Sequence, residues 1–110
     1  MTEREEQQQI AQTILAQLGG NRFIAMTGAS SFSSWHAIDN IRGGLTFRIP
    51  RNNSIRATSV RIYLMDSDTY RVQFCTMKDY EFIIIATRED VYADNLRTIF
   101  EEVTGLYTSL

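Results

Sequence analysis

Three strand-like runs place Thr46 and Arg48, then Ser59, Arg61 and Tyr63, then Arg71 and Gln73 at alternate positions. Successive side chains of a strand point to opposite faces, so these residues share the face turned away from the apolar positions between them. If the runs pair side by side, that face carries three arginines, one aromatic ring and several hydroxyls or amides. Arg51 and Arg56 fall on the turn between the first two runs, at the rim of the patch. The forked guanidinium donors match two oxygens of a phosphate at once. An exposed aromatic gives a nucleic-acid base a surface to stack on. The chemistry expected is anion binding, most simply of single-stranded nucleic acid, with Arg48, Arg61 and Arg71 on phosphate and Tyr63 as the stacking surface.

The charge distribution bears on this reading in both directions. Between Ile41 and Met65 lie five arginines and no aspartate or glutamate, and ten of the eleven basic residues are arginine. From Asp79 to Glu102 there are seven carboxylates against Arg88 and Arg97, and the whole chain carries a net charge of −2. Such segregation gives a folded domain a positive and a negative side. Nucleic-acid binders usually run basic overall, however, and arginine also serves simply to keep an exposed strand face solvated. A protein partner with an acidic surface would suit the same patch. The acidic side has two readings of its own, a solvated helix face or a mimic of phosphate charge for a basic groove on another protein.

Catalytic constellations are missing from the sequence. His36 is the only histidine and Cys75 the only cysteine, too few for a histidine- or cysteine-based metal site. No nucleophile elbow surrounds any serine, and no phosphate loop or dinucleotide fingerprint occurs. Asp66-Ser67-Asp68 opens like a calcium loop, but the position of its closing glutamate is Met77, so it reads as a hairpin turn. Cys75 reads as a small inert filler and His36 as a loop residue. The expectation is a non-enzymatic protein without cofactor or metal.

The elements that must position the patch follow from periodicity. Ile10, Ile14 and Leu18, with Ala11 and Leu15, form a helical stripe; Thr2 caps its start and Gly19-Gly20 ends it. Asn21 to Thr27 reads as a strand ended by Gly28. Residues Ala29 to Gly44 read as a long Ser- and Gly-rich loop with one short helical turn, in which Gly43-Gly44 serve as turn residues. Leu45 to Ile49, Val60 to Leu64 and Tyr70 to Phe74 alternate as strands. Phe82 to Ala86 is apolar on both faces and is predicted to lie centrally or under a helix. Asp90 is the expected cap of a second helix with the stripe Tyr92, Leu96, Ile99, Phe100 and Val103, ended by Gly105. The apolar tail Leu106 to Leu110 is expected to pack back on the core, with pairing of subunits through Leu106, Tyr107 and Leu110 as the alternative. The fold class is therefore α+β, with an N-terminal helix, an antiparallel meander sheet of four to five strands, and a C-terminal helix. Both helices pack on one sheet face, leaving the other at least partly open.

At 110 residues with 44% hydrophobic content, the chain is expected to be one folded domain over residues 1–110. One cysteine and no apolar run of about 20 residues point to a cytoplasmic, non-membrane setting. Gly19-Gly20-Asn21-Arg22-Phe23-Ile24-Ala25-Met26-Thr27-Gly28-Ala29, Val91-Tyr92-Ala93-Asp94 and Thr104-Gly105-Leu106-Tyr107-Thr108-Ser109-Leu110 resemble segments of a family of small uncharacterised proteins of bacteriophages and other mobile elements. The runs around Leu45 to Arg51 and Val60 to Tyr70 are similar in pattern. The resemblance implies a genomic setting, a bacterial host cell, rather than a chemistry. It implies a protein that binds something: nucleic acid or a nucleotide, or, as the alternative, a host defence protein that it inhibits.

Overall fold

In the computed structural model, which describes residues 2–108, helix α1 (Glu3–Leu18) begins where the caps require. The Thr2 hydroxyl accepts a hydrogen bond from the Glu5 amide at 3.2 Å, and Glu3, Glu5 and Glu6 face the positive end of the helix dipole. Gly19 ends the helix, its N–H donating to the Leu15 and Ala16 carbonyls. The chain then turns into a second short helix, α2 (Asn21–Thr27), where a strand is predicted. Phe23 and Thr27 are compatible with a two-residue period, but they are also four apart, and as one helical face both are buried. The Thr27 hydroxyl donates back to the Phe23 carbonyl at 2.7 Å, which holds this turn closed.

Five strands follow in the order of the chain: β1 (Ser30–Trp35), β2 (Ile41–Arg48), β3 (Ser59–Met65), β4 (Tyr70–Lys78) and β5 (Glu81–Val91). All neighbours are antiparallel, so the sheet is a meander. A 3₁₀ turn (Ala93–Asn95) leads into α3 (Leu96–Thr104), closed by Gly105 in the left-handed region at φ 74°. The fold is α+β, with N- and C-terminal helices packed against one face of the sheet. Their buried side chains meet those of the sheet in one cluster. Phe23 stands edge-on to both Phe47 and Phe100, with ring centroids 5.4 and 5.1 Å apart. Truncating a ring held this way, as in Phe100→Ala, costs about 3–5 kcal/mol.

Three further expectations are corrected. The segment read as a loop from Ala29 to Gly44 contains strand β1 and the start of β2, joined through a bridge between Ile38 and Ile41. Gly43 and Gly44 are strand residues. Asp90 does not cap a helix; it lies inside β5 at φ 55°, because Val91 is buried opposite Tyr70 and holds the chain in the sheet. Tyr92 consequently stays exposed, outside the helical stripe. Finally, the doubly apolar run Phe82 to Ala86 is not central, since β5 forms one edge of the sheet, with Phe82, Ile84 and Ile85 exposed. In the tail, Leu106 packs against the core while Tyr107 is exposed, and Leu110 lies outside the described residues. Among the described residues no helix is long and apolar enough to cross a membrane.

Candidate anion-binding site on the open sheet face

The face opposite the helices is assembled by register. Thr46 of β2, Arg61 of β3, Gln73 of β4 and Thr87 of β5 stand in one row. Arg48, Ser59, Cys75 and Ile84 form the next, and Gly44, Tyr63 and Arg71 a third that continues to Trp35 on β1. Gly44 permits a close approach here: a Cβ on it would lie 2.3 Å from the Ile62 carbonyl oxygen, a collision with backbone. The strand alternation expected for β2, β3 and β4 therefore holds, and Trp35 joins the face from a strand not anticipated.

Arg61 is the centre of this face. Its guanidinium carbon lies 4.1 Å from the centroid of Phe82 and 5.2 Å from that of Trp35, so the charge is bracketed by two rings. Ring faces attract the cation and fix its position without neutralising it. Trp35 in turn stacks on His36, with centroids 5.4 Å apart and planes at 20°, and meets Tyr63 edge-on. Beside these residues lies a cavity of about 170 Å³ lined by Ser31, Trp35, Thr46, Arg48, Ser59 and Arg61, with Phe47 completing the wall. Two arginines and three hydroxyl-bearing residues thus line one small volume. Trp35 Nε1 is buried and has no hydrogen-bond partner. A desolvated donor left unpaired costs about 1–3 kcal/mol.

The residues singled out from the sequence separate into two groups. Arg48 and Arg61 come together, and among the described residues neither is ion-paired to a carboxylate. Arg71 shares the face but is ion-paired with Glu89 of β5. Tyr63, expected as an exposed stacking surface, is 5% exposed, because the Trp35 ring closes over it. The rings beside Arg61 are instead Trp35 and Phe82. Arg51 and Arg56 are exposed on the loop over residues 49–58, at the end of the sheet where Arg48 lies. Asn53 shapes that loop: its side-chain amide donates to the Pro50 and Ala57 carbonyls and accepts from the Ala57 amide. Cys75 lies buried on this face, and burial pushes its thiol above the ordinary range, against the smaller pulls of the Arg61 charge and a hydrogen bond with Ser59.

A larger groove of about 760 Å³ opens at the other end of the sheet, beside α1. Its charged walls are Glu6, Asp39 and Asp66, and its one cation, Arg42, is paired with Asp68. That balance disfavours an anion. Among the described residues no group of three or more histidine, cysteine or acidic side chains is placed to hold a metal. No family model matches the chain, and no curated protein and no solved structure matches it either.

Proposed function

We propose that the open sheet face binds a phosphate-bearing ligand, most simply single-stranded nucleic acid, with the cavity between Arg48 and Arg61 as the phosphate seat. The observation that carries this reading is that two arginines lacking carboxylate partners among the described residues and three hydroxyl-bearing residues line that cavity together. Guanidinium groups without carboxylate partners beside hydroxyls suit an anion. Phe82, 43% exposed beside Arg61, supplies the stacking surface assigned from the sequence to Tyr63. Arg51 and Arg56 extend the positive rim along which a backbone would run. On this reading the protein acts by binding, without catalysis, in a bacterial cell that carries the phage or mobile element its sequence resembles.

Fluorescence anisotropy with labelled single-stranded DNA, duplex DNA and RNA, each at low and physiological salt, tests the proposal. Binding that weakens steeply with salt and prefers a single strand is the expected result. No binding of any of the three at low salt would overturn it and turn attention to inhibition of a host defence protein.

A further inference from the structure

The two edges of the sheet differ in a way the anion site does not explain. β1 is six residues long, serine-rich and broken by a register shift, with Ser31 at φ 56°; these are the features that keep an edge from pairing with other chains. β5 is eleven residues long, and the described residues place no strand on its outer side. It presents Phe82 at 43%, Ile84 at 48% and Ile85 at 38% exposure beside a row of unpaired backbone donors and acceptors.

We infer that β5 is a self-association strand, pairing antiparallel with β5 of a second copy of this chain across a two-fold axis between Ile84 and Ile85. The register follows from which face each residue occupies. Phe82 opposite Met77, and Thr87 opposite Gln73, lie on the open face; Glu81, Ile83, Ala86 and Arg88 lie on the helix face. Between Ile84 and Ala86 the ladder shifts, so Ile84 and Ile85 share the place opposite Cys75. A two-fold axis perpendicular to the sheet keeps each face continuous, so partners across the seam must come from the same face. The bulge leaves one register that meets this condition along the whole of residues 81–88. It sets Glu81 against Arg88, Phe82 against Thr87, Ile83 against Ala86, and Ile84 against Ile85 of the other copy. The apolar residues meet in the middle, and both ends close with opposite charges on exposed side chains. Charge complementarity and face matching thus select the same alignment, and the occupant they select is the chain itself. Phe82 serves both readings, beside Arg61 on the open face and next to the seam, and the resulting ten-stranded sheet would carry both copies' sites on one side.

Analytical ultracentrifugation over roughly a hundredfold range of concentration should show a monomer–dimer equilibrium. Glu81→Arg and Arg88→Glu should each weaken the dimer at least about tenfold, since each places like charges opposite one another at both ends of the seam. The double variant carrying both changes should restore it. Ile84→Lys, on an already exposed position, should give a monomer with an unchanged circular dichroism spectrum. A monomer at every concentration would overturn the inference and leave the edge to a different partner. So would a dimer that neither charge reversal weakens.

Discussion

Arg61 and Arg71 stand on adjacent strands of the same face, yet their surroundings make them different reagents. Arg71 faces Glu89 across the β4–β5 pair, and the two charges largely cancel for anything approaching from solvent. Arg61 is flanked by the rings of Phe82 and Trp35, which hold the guanidinium while leaving its charge in place. The β1–β3 side of the face therefore offers an uncompensated positive cavity, and the β4–β5 side a neutralised polar surface. A count of arginines per face cannot distinguish the two; what lies opposite each arginine does.

On this face the largest expected effect strikes the seat of Trp35. Gly44→Ala should cost about 3 kcal/mol in urea unfolding, the upper end for overpacking, because the obstacle is the Ile62 carbonyl rather than a mobile side chain. Thr87→Ala on the neutral side should stay within about 0.5 kcal/mol. If both are equally tolerated, the two sides are not built differently. Next in size, Arg61→Glu should weaken single-stranded DNA binding roughly a hundredfold, about 2.7 kcal/mol, with the thermal transition still cooperative. Arg48→Ala should weaken it about tenfold by removing one guanidinium donor from the cavity. Arg71→Ala should change affinity by less than about twofold, since Glu89 already holds that charge. Equal losses at Arg61 and Arg71 would erase the contrast.

The smallest effect is in pH dependence. Burial raises the Cys75 thiol above its unfolded value of 9.0, so the folded state favours the protonated form. The associated stability is fully present below about pH 9 and is lost as pH rises through the folded value. Tyr70, raised from 10.0 chiefly by burial against a hydrogen bond to Gln17, acts in the same direction at higher pH. Cys75→Ala should flatten the first part of the alkaline loss in denaturation midpoints measured from neutrality upward. An unchanged profile would contradict the burial account of this thiol.

Much of this arrangement was legible in the alternation of β2, β3 and β4, where polar turns bracket clear two-residue periods. Thr46, Arg48, Ser59 and Arg61 follow directly from it. The α1 caps and the Gly105 terminator were legible for the same local reason, side-chain and backbone chemistry within one turn. β1 was not, because Ser30, Ser31, Ser33 and Ser34 provide no apolar period and the strand exists through its pairing with β2. With β1 unseen, Trp35 had no place, and so neither did the burial of Tyr63 beneath it. The Arg71–Glu89 pair depends on the β4–β5 register, which two ladder shifts set and no periodicity announces. The apolar run in β5 was visible, but burial under a helix and exposure at an edge demand the same residue types.

Trp35 is the only tryptophan in the chain, so its indole N–H gives one resolved signal in a ¹H–¹⁵N correlation spectrum. Titrating the protein with a short single-stranded oligonucleotide while following that signal tests the central claim most directly. If phosphate seats between Arg48 and Arg61, the surroundings of the Trp35 ring that lines the seat change, and its indole resonance should shift, saturate with the anisotropy change, and return as salt is raised. Binding that leaves this resonance in place, or no binding at all, would contradict the account.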